Sequence, residues 1–163
     1  MAMIRKAQVA DAPLVGACHY HCWQETYLGL INDDYLDRMN EESNRQRYMT
    51  MYEQFQPNWY VVEDEGEIIG FFDVSQPREA FGRYEVQSLY LRKKYQGQGI
   101  GRQMFEKICY LCQKNDFYLW CLDTNPTCDF YRHMGGEIVT TKEAMIGTQK
   151  IQEICFHFNP TVG

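Results

Sequence analysis

EVQSLYLRKKYQGQGIGRQMFEKICYLCQKN, residues 85–115, passes from a strand through a glycine-rich turn into an amphipathic helix. Val86, Leu89, Tyr90 and Leu91 are β-branched, aliphatic or aromatic, in a run without Gly or Pro, which predicts a largely buried strand. Gly97, Gly99 and Gly101 alternate with Gln98 and Ile100, so the backbone there is free to curl and approach a ligand closely. Met104, Phe105, Ile108, Leu111 and Cys112 then recur at helical spacing on one face. A glycine turn at a helix N-terminus presents unpaired N–H groups and the positive end of the helix dipole, which together suit an anion.

Charge supports the anion reading. The chain has 163 residues and a net charge of −6, an acidity that argues against general nucleic-acid binding. Between Val86 and Phe105 there is no acidic residue, yet Arg92, Lys93, Lys94 and Arg102 all fall there. The length predicts one domain over residues 1–163, with a substantial core. No apolar run approaches a membrane span and MAMIRKAQVAD lacks a signal-peptide core, so a cytoplasmic protein without membrane association is expected. Seven cysteines without paired spacing fit reduced thiols. On a helix, Cys18 and Cys22 share a face from which His19 and His21 diverge, which predicts core cysteines beside solvent-facing histidines and no metal.

The remainder reads as an α+β chain. Ile4–Ala7 is an edge-strand candidate, and Asp11 is a helix cap with Pro13 in the first turn of a helix running to about Glu25. A short helix over Tyr35–Met39 and another over Asn44–Tyr52, capped by Ser43, come next. Asn58–Asp64 and Glu67–Val74 form a hairpin about Glu65-Gly66. Phe117–Leu122 follows the amphipathic helix and is expected to pair parallel with the strand before it. A helix over Asp129–Met134, ended by Gly135-Gly136, precedes strands at Glu137–Thr141 and Ile151–Phe158. Aromatic residues exposed near Ile154–Phe158 would offer a homodimer surface.

Spacing decides what kind of glycine turn this is. A Walker loop requires Gly-Lys-Ser/Thr, whereas Gly101 is followed by Arg102-Gln103, which disfavours a nucleotide hydrolase. A dinucleotide fingerprint counted from Gly97 would need glycine at the position of Arg102. What remains is Gln96-x-x-Gly99-x-Gly101, preceded by Leu89-Tyr90-Leu91. This resembles the [QR]-x-x-G-x-[GA] signature of the GNAT superfamily of acetyl-CoA-dependent N-acetyltransferases. Asn125, Cys128, Phe130, Tyr131 and Gly135 resemble the second half of that signature, and Trp23, Thr26, Tyr27 and Gly29 resemble the end of its first helix. Two departures are Cys128 in place of Ala, and Gly136 where an aromatic is usual, which implies looser packing there.

The resemblance implies a central mixed, mostly antiparallel sheet of six to seven strands flanked by about four helices. It also implies transfer of an acetyl group from acetyl-CoA to a primary amine by direct attack, through a tetrahedral intermediate. Backbone N–H groups of Gln96, Gly97, Gln98, Gly99, Ile100, Gly101 and Arg102 would hold the pyrophosphate. Leu89, Tyr90 and Leu91 would supply the strand that pairs with the pantetheine arm, the Tyr90 side chain facing the core. Asn125 and Phe130 would meet the arm from the other side, and Tyr131 would protonate the departing thiolate. An alkylamine has a pKa of roughly 10.4, so a proton must be removed before attack. Glu85 is the base candidate, because strand alternation puts it on the face of Gln87, Leu89 and Leu91. Trp23, Tyr27 and Tyr35 would wall the acceptor pocket, a lining suited to a cationic amine. The implied acceptor is a small amine, a polyamine or a peptide or protein amine; a non-catalytic, regulatory acyl-CoA-binding module is the alternative function.

Overall fold

A computed structural model describes residues 1–160. Among them are eight strands and five helices: β1 (Met3–Lys6), α1 (Ala12–Tyr27), α2 (Asp33–Arg38), α3 (Glu41–Phe55), β2 (Trp59–Asp64), β3 (Glu67–Asp73), β4 (Tyr84–Glu85), β5 (Leu89–Leu91), α4 (Ile100–Leu111), β6 (Phe117–Leu122), α5 (Thr127–His133), β7 (Glu137–Ile146) and β8 (Gln149–Phe158). They form two four-stranded sheets, ordered β1-β2-β3-β5 and β4-β6-β8-β7. All pairings are antiparallel except β4 with β6, which is the expected parallel pair.

Local chemistry sets most of these elements. Glu65 (φ 50°) and Gly66 (φ 82°) both take left-handed geometry, the turn that matches the twist of a two-residue hairpin. The apolar stripe of α4 buries Ile100, Met104, Phe105 and Ile108 against Phe117, Leu119, Phe156 and Phe158 of β6 and β8. Each such side chain contributes about 1.5–3 kcal/mol by leaving water. On the other side, α1 and α3 cover Trp59, Val61 and Phe71 of the first sheet. Among the described residues no helix is long and apolar enough to cross a membrane.

The strand expected as one run over residues 86–91 is two, which takes the strand count to eight against the six to seven expected. β4 stays with β6, whereas β5 crosses to β3, with Phe72 opposite Leu89 and Gly70 opposite Leu91. Just past β3, Ser75 bridges the sheets through reciprocal backbone bonds of 2.8 and 3.0 Å with Glu85 of β4. The crossover is pinned by the buried Asp73 carboxylate, which accepts from the Ser88 backbone N–H at 2.7 Å and from the Ser75 hydroxyl. From this pin the sheets diverge, so β5 and β6 are not paired.

Four further expectations change. Asp11 precedes α1, but its carboxylate accepts from Gln8 N–H and pairs with Arg5 at 2.7 Å rather than capping that helix. Asn40, not Ser43, caps α3: its side-chain oxygen accepts from Ser43 N–H at 2.8 Å. His19 is buried and accepts from the Asn44 amide at 2.9 Å, because α3 packs over the face expected to be in solvent. The aromatics expected to be exposed near Ile154–Phe158 are buried instead, since β8 lies between β6 and β7 and covers Ile154, Phe156 and Phe158.

Candidate active site

The divergence of β5 from β6 exposes backbone along one edge of each. Ser88 O accepts from Asp73 N–H, and Arg92 N–H donates to Ile69 O, so residues of even number turn their peptide groups to β3. By the alternation of an antiparallel ladder, Leu89 and Leu91 turn theirs into the gap. Gln96 reinforces this arrangement, its amide donating to Leu91 O at 3.0 Å. The signature glutamine thus braces the turn on β5.

A 3-10 turn over Lys93–Tyr95 leads into the cradle, where Gly97 and Gly99 sit at φ 77° and 86°. A Cβ at either would meet nothing within 4 Å, which leaves room for a ligand at both. Gly99 is the N-cap of α4, so the N–H groups of Ile100, Gly101 and Arg102 have no acceptor within the helix. Gln98 turns away, donating its side chain to Lys94 O at 3.1 Å. Of the basic cluster, Arg92 serves the fold: it pairs with Glu25 of α1 at 3.0 and 3.2 Å. Arg102 lines the cavity.

Two cavities meet at the gap. The first, about 390 Å³, runs from Gly97, Gly99, Gly101 and Arg102 past Leu91 and Phe130 to Asn125 and Tyr131. The second, about 280 Å³, is lined by Trp23, Gln87, Trp120, Cys121, Leu122 and Glu153 among others. Tyr27, Leu89, Tyr90, Asn125 and Tyr131 line both, so they form the partition. The glycine turn thus lines one cavity, and aromatic side chains including Trp23 and Trp120 line the other.

The partition is held by side-chain hydrogen bonds. Asn125 accepts from Thr127 N–H at 2.9 Å and donates to the Tyr27 hydroxyl at 3.1 Å, linking α5 to α1. The Trp23 indole donates to the Tyr90 hydroxyl at 3.3 Å. Tyr90 is therefore a cavity wall as well as a core contact with Phe71, 5.2 Å between ring centroids. Burial, with little opposing it, pushes the Tyr131 phenol well above its ordinary value, so it keeps its proton at neutral pH.

The acetyltransferase (GNAT) family model matches residues 19–135, a span that includes the cradle and the partition. The chain belongs to the GNAT acetyltransferase family. It is 26% identical over 168 aligned positions to the uncharacterized N-acetyltransferase YuaI of Bacillus subtilis, covering 94% of this chain and 91% of the relative. A putative acetyltransferase of Salmonella typhimurium, yncA, solved with acetyl-CoA, shares the fold at TM-score 0.69 and 18% identity, covering 98% and 94% of the two chains. The paia N-acetyltransferase of Thermoplasma acidophilum, solved with coenzyme A, superposes at TM-score 0.64 and 20% identity over 94% and 98%.

Within this acetyltransferase, three site expectations look different in three dimensions. Glu85 is buried beside Tyr118 and lines neither cavity; its carboxylate accepts from Arg78 N–H at 3.0 Å, Arg78 Nη2 at 2.5 Å and the Tyr118 hydroxyl at 3.1 Å. Burial alone would raise its pKa, but the Arg78 guanidinium and backbone outweigh it and hold the group below the usual carboxylate range. A carboxylate so paired is a poor proton acceptor at neutral pH. Tyr35 lines neither cavity and stands behind Trp23, 6.2 Å between centroids. Packing at Gly136 is not loose, because a Cβ there would come within 2.9 Å of the Phe158 ring, which fills the space. Gln87, Trp120 and Glu153 of the second cavity were not expected. Gln87 carried a signal, a polar residue on the face of Leu89; Trp120 and Glu153 sat in segments legible only as strands.

Proposed function

We propose that the chain acts as one N-acetyltransferase domain over residues 1–163 and moves an acetyl group from acetyl-CoA to a primary amine. Acetyl-CoA supplies the thioester carbonyl. Residues Gln96 to Arg102 offer backbone N–H groups to the pyrophosphate, and Leu89 and Leu91 offer theirs to the pantetheine arm as an added strand would. The Leu91 N–H lies on the gap side, where a donor stabilises charge developing on the carbonyl oxygen. Tyr131, protonated and on the partition, gives its proton to the leaving sulfur. The acceptor enters through the second cavity, whose walls include Trp23 and Tyr27. Glu85 fixes the residue 78–85 loop through Arg78, which leaves proton removal to water in the cavity.

The observation that carries this reading is the shared partition: the phosphate cradle and the aromatic chamber meet at Tyr131. A thiol-release assay with acetyl-CoA over a panel of small amines, polyamines and lysine peptides tests it. Coenzyme A release dependent on an amine is expected. Acetyl-CoA binding with no turnover on any amine would instead make the chain a non-catalytic acyl-CoA-binding module.

A further inference from the structure

The acceptor cavity already contains the answer to what it prefers, because one of the chain's own ammonium groups is seated at its wall. Lys142 Nζ lies 4.0 Å from the centroid of the Trp120 ring and 3.6 Å from Glu153 Oε2. Trp120 and Glu153 both line the second cavity; Lys142 does not. Glu153 is the one carboxylate among the residues lining it. The indole is held in plane, since its Nε1 donates to Glu79 at 2.8 Å and its ring meets the Phe81 edge at 6.1 Å.

We infer that Glu153 and the face of Trp120 form a cation seat, and that it selects acceptors carrying a second positive charge, namely diamines and polyamines. This selection presupposes the acetyl transfer proposed above. An amine attacks only when neutral, so a cation held during attack must be a different group of the same acceptor. Aromatic faces and a carboxylate are the chemistry that holds an ammonium. Tyr131, where the transfer is placed, and the seat line one cavity of about 280 Å³, a size suited to a short linear molecule. Lys142 comes from the edge strand β7, opposite Glu153 in register, and its side chain is half-exposed. It can therefore swing into water and yield the seat to an incoming cation.

The full chain, saturated with coenzyme A, is titrated by calorimetry with 1,5-diaminopentane and with 1,5-pentanediol, a neutral ligand of the same length; a monoamine would not serve, because its one ammonium also fits the seat. The wild type should bind the diamine about tenfold more tightly, the scale of one added charge pair. Glu153→Gln should erase that margin, and Lys142→Met should widen it by removing the internal competitor. Equal affinity for the diamine and the diol in the wild type overturns the seat, as does a margin that survives Glu153→Gln. Lys142→Met changes an exposed side chain on an edge strand, so it provides a second arm should the first variant fold poorly; an unchanged margin there also overturns the inference. Thiol release is read in parallel. A diamine margin without turnover would remove the transferase proposal and leave the seat standing, and turnover without a margin would do the reverse.

Discussion

Gly99 and Gly101 occupy the same cradle but differ in backbone, and alanine at the two positions should act on stability with opposite signs. Gly101 is the second residue of α4, where an added Cβ lies 3.4 Å from Phe130 Cζ, an ordinary contact. Alanine is a better helix former than glycine by up to about 1 kcal/mol. In a chain of this length that raises Tm by about 2–4 °C. The same methyl projects into the cavity that Gly101 lines, where an anion must come close to reach the Ile100–Arg102 N–H groups. Losing one charge-assisted bond of about 1.5–3 kcal/mol weakens acetyl-CoA binding by about 10- to 150-fold. At Gly99 a methyl meets nothing within 4 Å, but φ is 86°, a conformation that costs an L-residue about 1–2 kcal/mol. Gly99→Ala should therefore lower Tm by several degrees and also weaken binding. Thermal melts without ligand and calorimetry with acetyl-CoA give both readouts. A more stable Gly101→Ala that binds acetyl-CoA as the wild type does would refute the phosphate cradle. A Gly101→Ala destabilised like Gly99→Ala would refute the separation of strain from occlusion.

Three other outcomes follow from the site and the core. Tyr131→Phe should lower kcat by about 10²-fold or more with little change in acetyl-CoA affinity, as for a general acid; unchanged turnover removes Tyr131 from that role. Glu85→Gln should cost about 1–3 kcal/mol in urea melts at pH 7 by weakening the Arg78 contacts, with kcat nearly unchanged; a hundredfold loss of kcat at unaltered stability would restore Glu85 as base. Burial, and secondarily the Arg47 charge, push His19 down to about 3, so the folded state holds it neutral. A depressed value means that the stabilisation is complete above the unfolded pKa of about 6.5 and is lost as pH falls below it, by about 1.4 kcal/mol per unit. Urea melts at pH 6.5 and 5.5 should show a loss of about 1 kcal/mol in the wild type, since the unfolded histidine is already half protonated at the upper pH, and a smaller loss in His19→Gln; equal losses would sink the assignment.

How much of this was visible in the sequence depends on whether the cause is local. The α4 stripe, the Glu65-Gly66 turn and the cradle glycines are set by residues a few positions apart, and periodicity or φ preference reveals them. The parallel pairing of β4 with β6 follows from the helix between them. The break between β4 and β5 was hidden, because Glu85–Leu91 contains no Gly or Pro. It is imposed by Asp73, a distant residue whose buried carboxylate draws the Ser88 backbone toward β3. A run of good strand residues tells nothing about which neighbour each half will pair with.

Charges mislead for the same reason, and Glu85 and Glu153 show it in opposite directions. On its strand Glu85 looks catalytic, yet Arg78, only seven residues earlier, folds back and satisfies it. Glu153 looks like an ordinary strand glutamate, yet β-sheet register places it opposite Leu122 on β6 and Lys142 on β7, at the wall of the second cavity. What separates the two carboxylates is the mobility of their partners. Arg78 reaches Glu85 with its backbone N–H as well as its guanidinium, so freeing that carboxylate would require the loop to move. Lys142 reaches Glu153 with a side-chain tip alone, 3.6 Å away and half in water, which a soluble cation can replace. A carboxylate is available to a substrate when its present partner can leave without unfolding anything, and in this chamber that condition is met at Glu153.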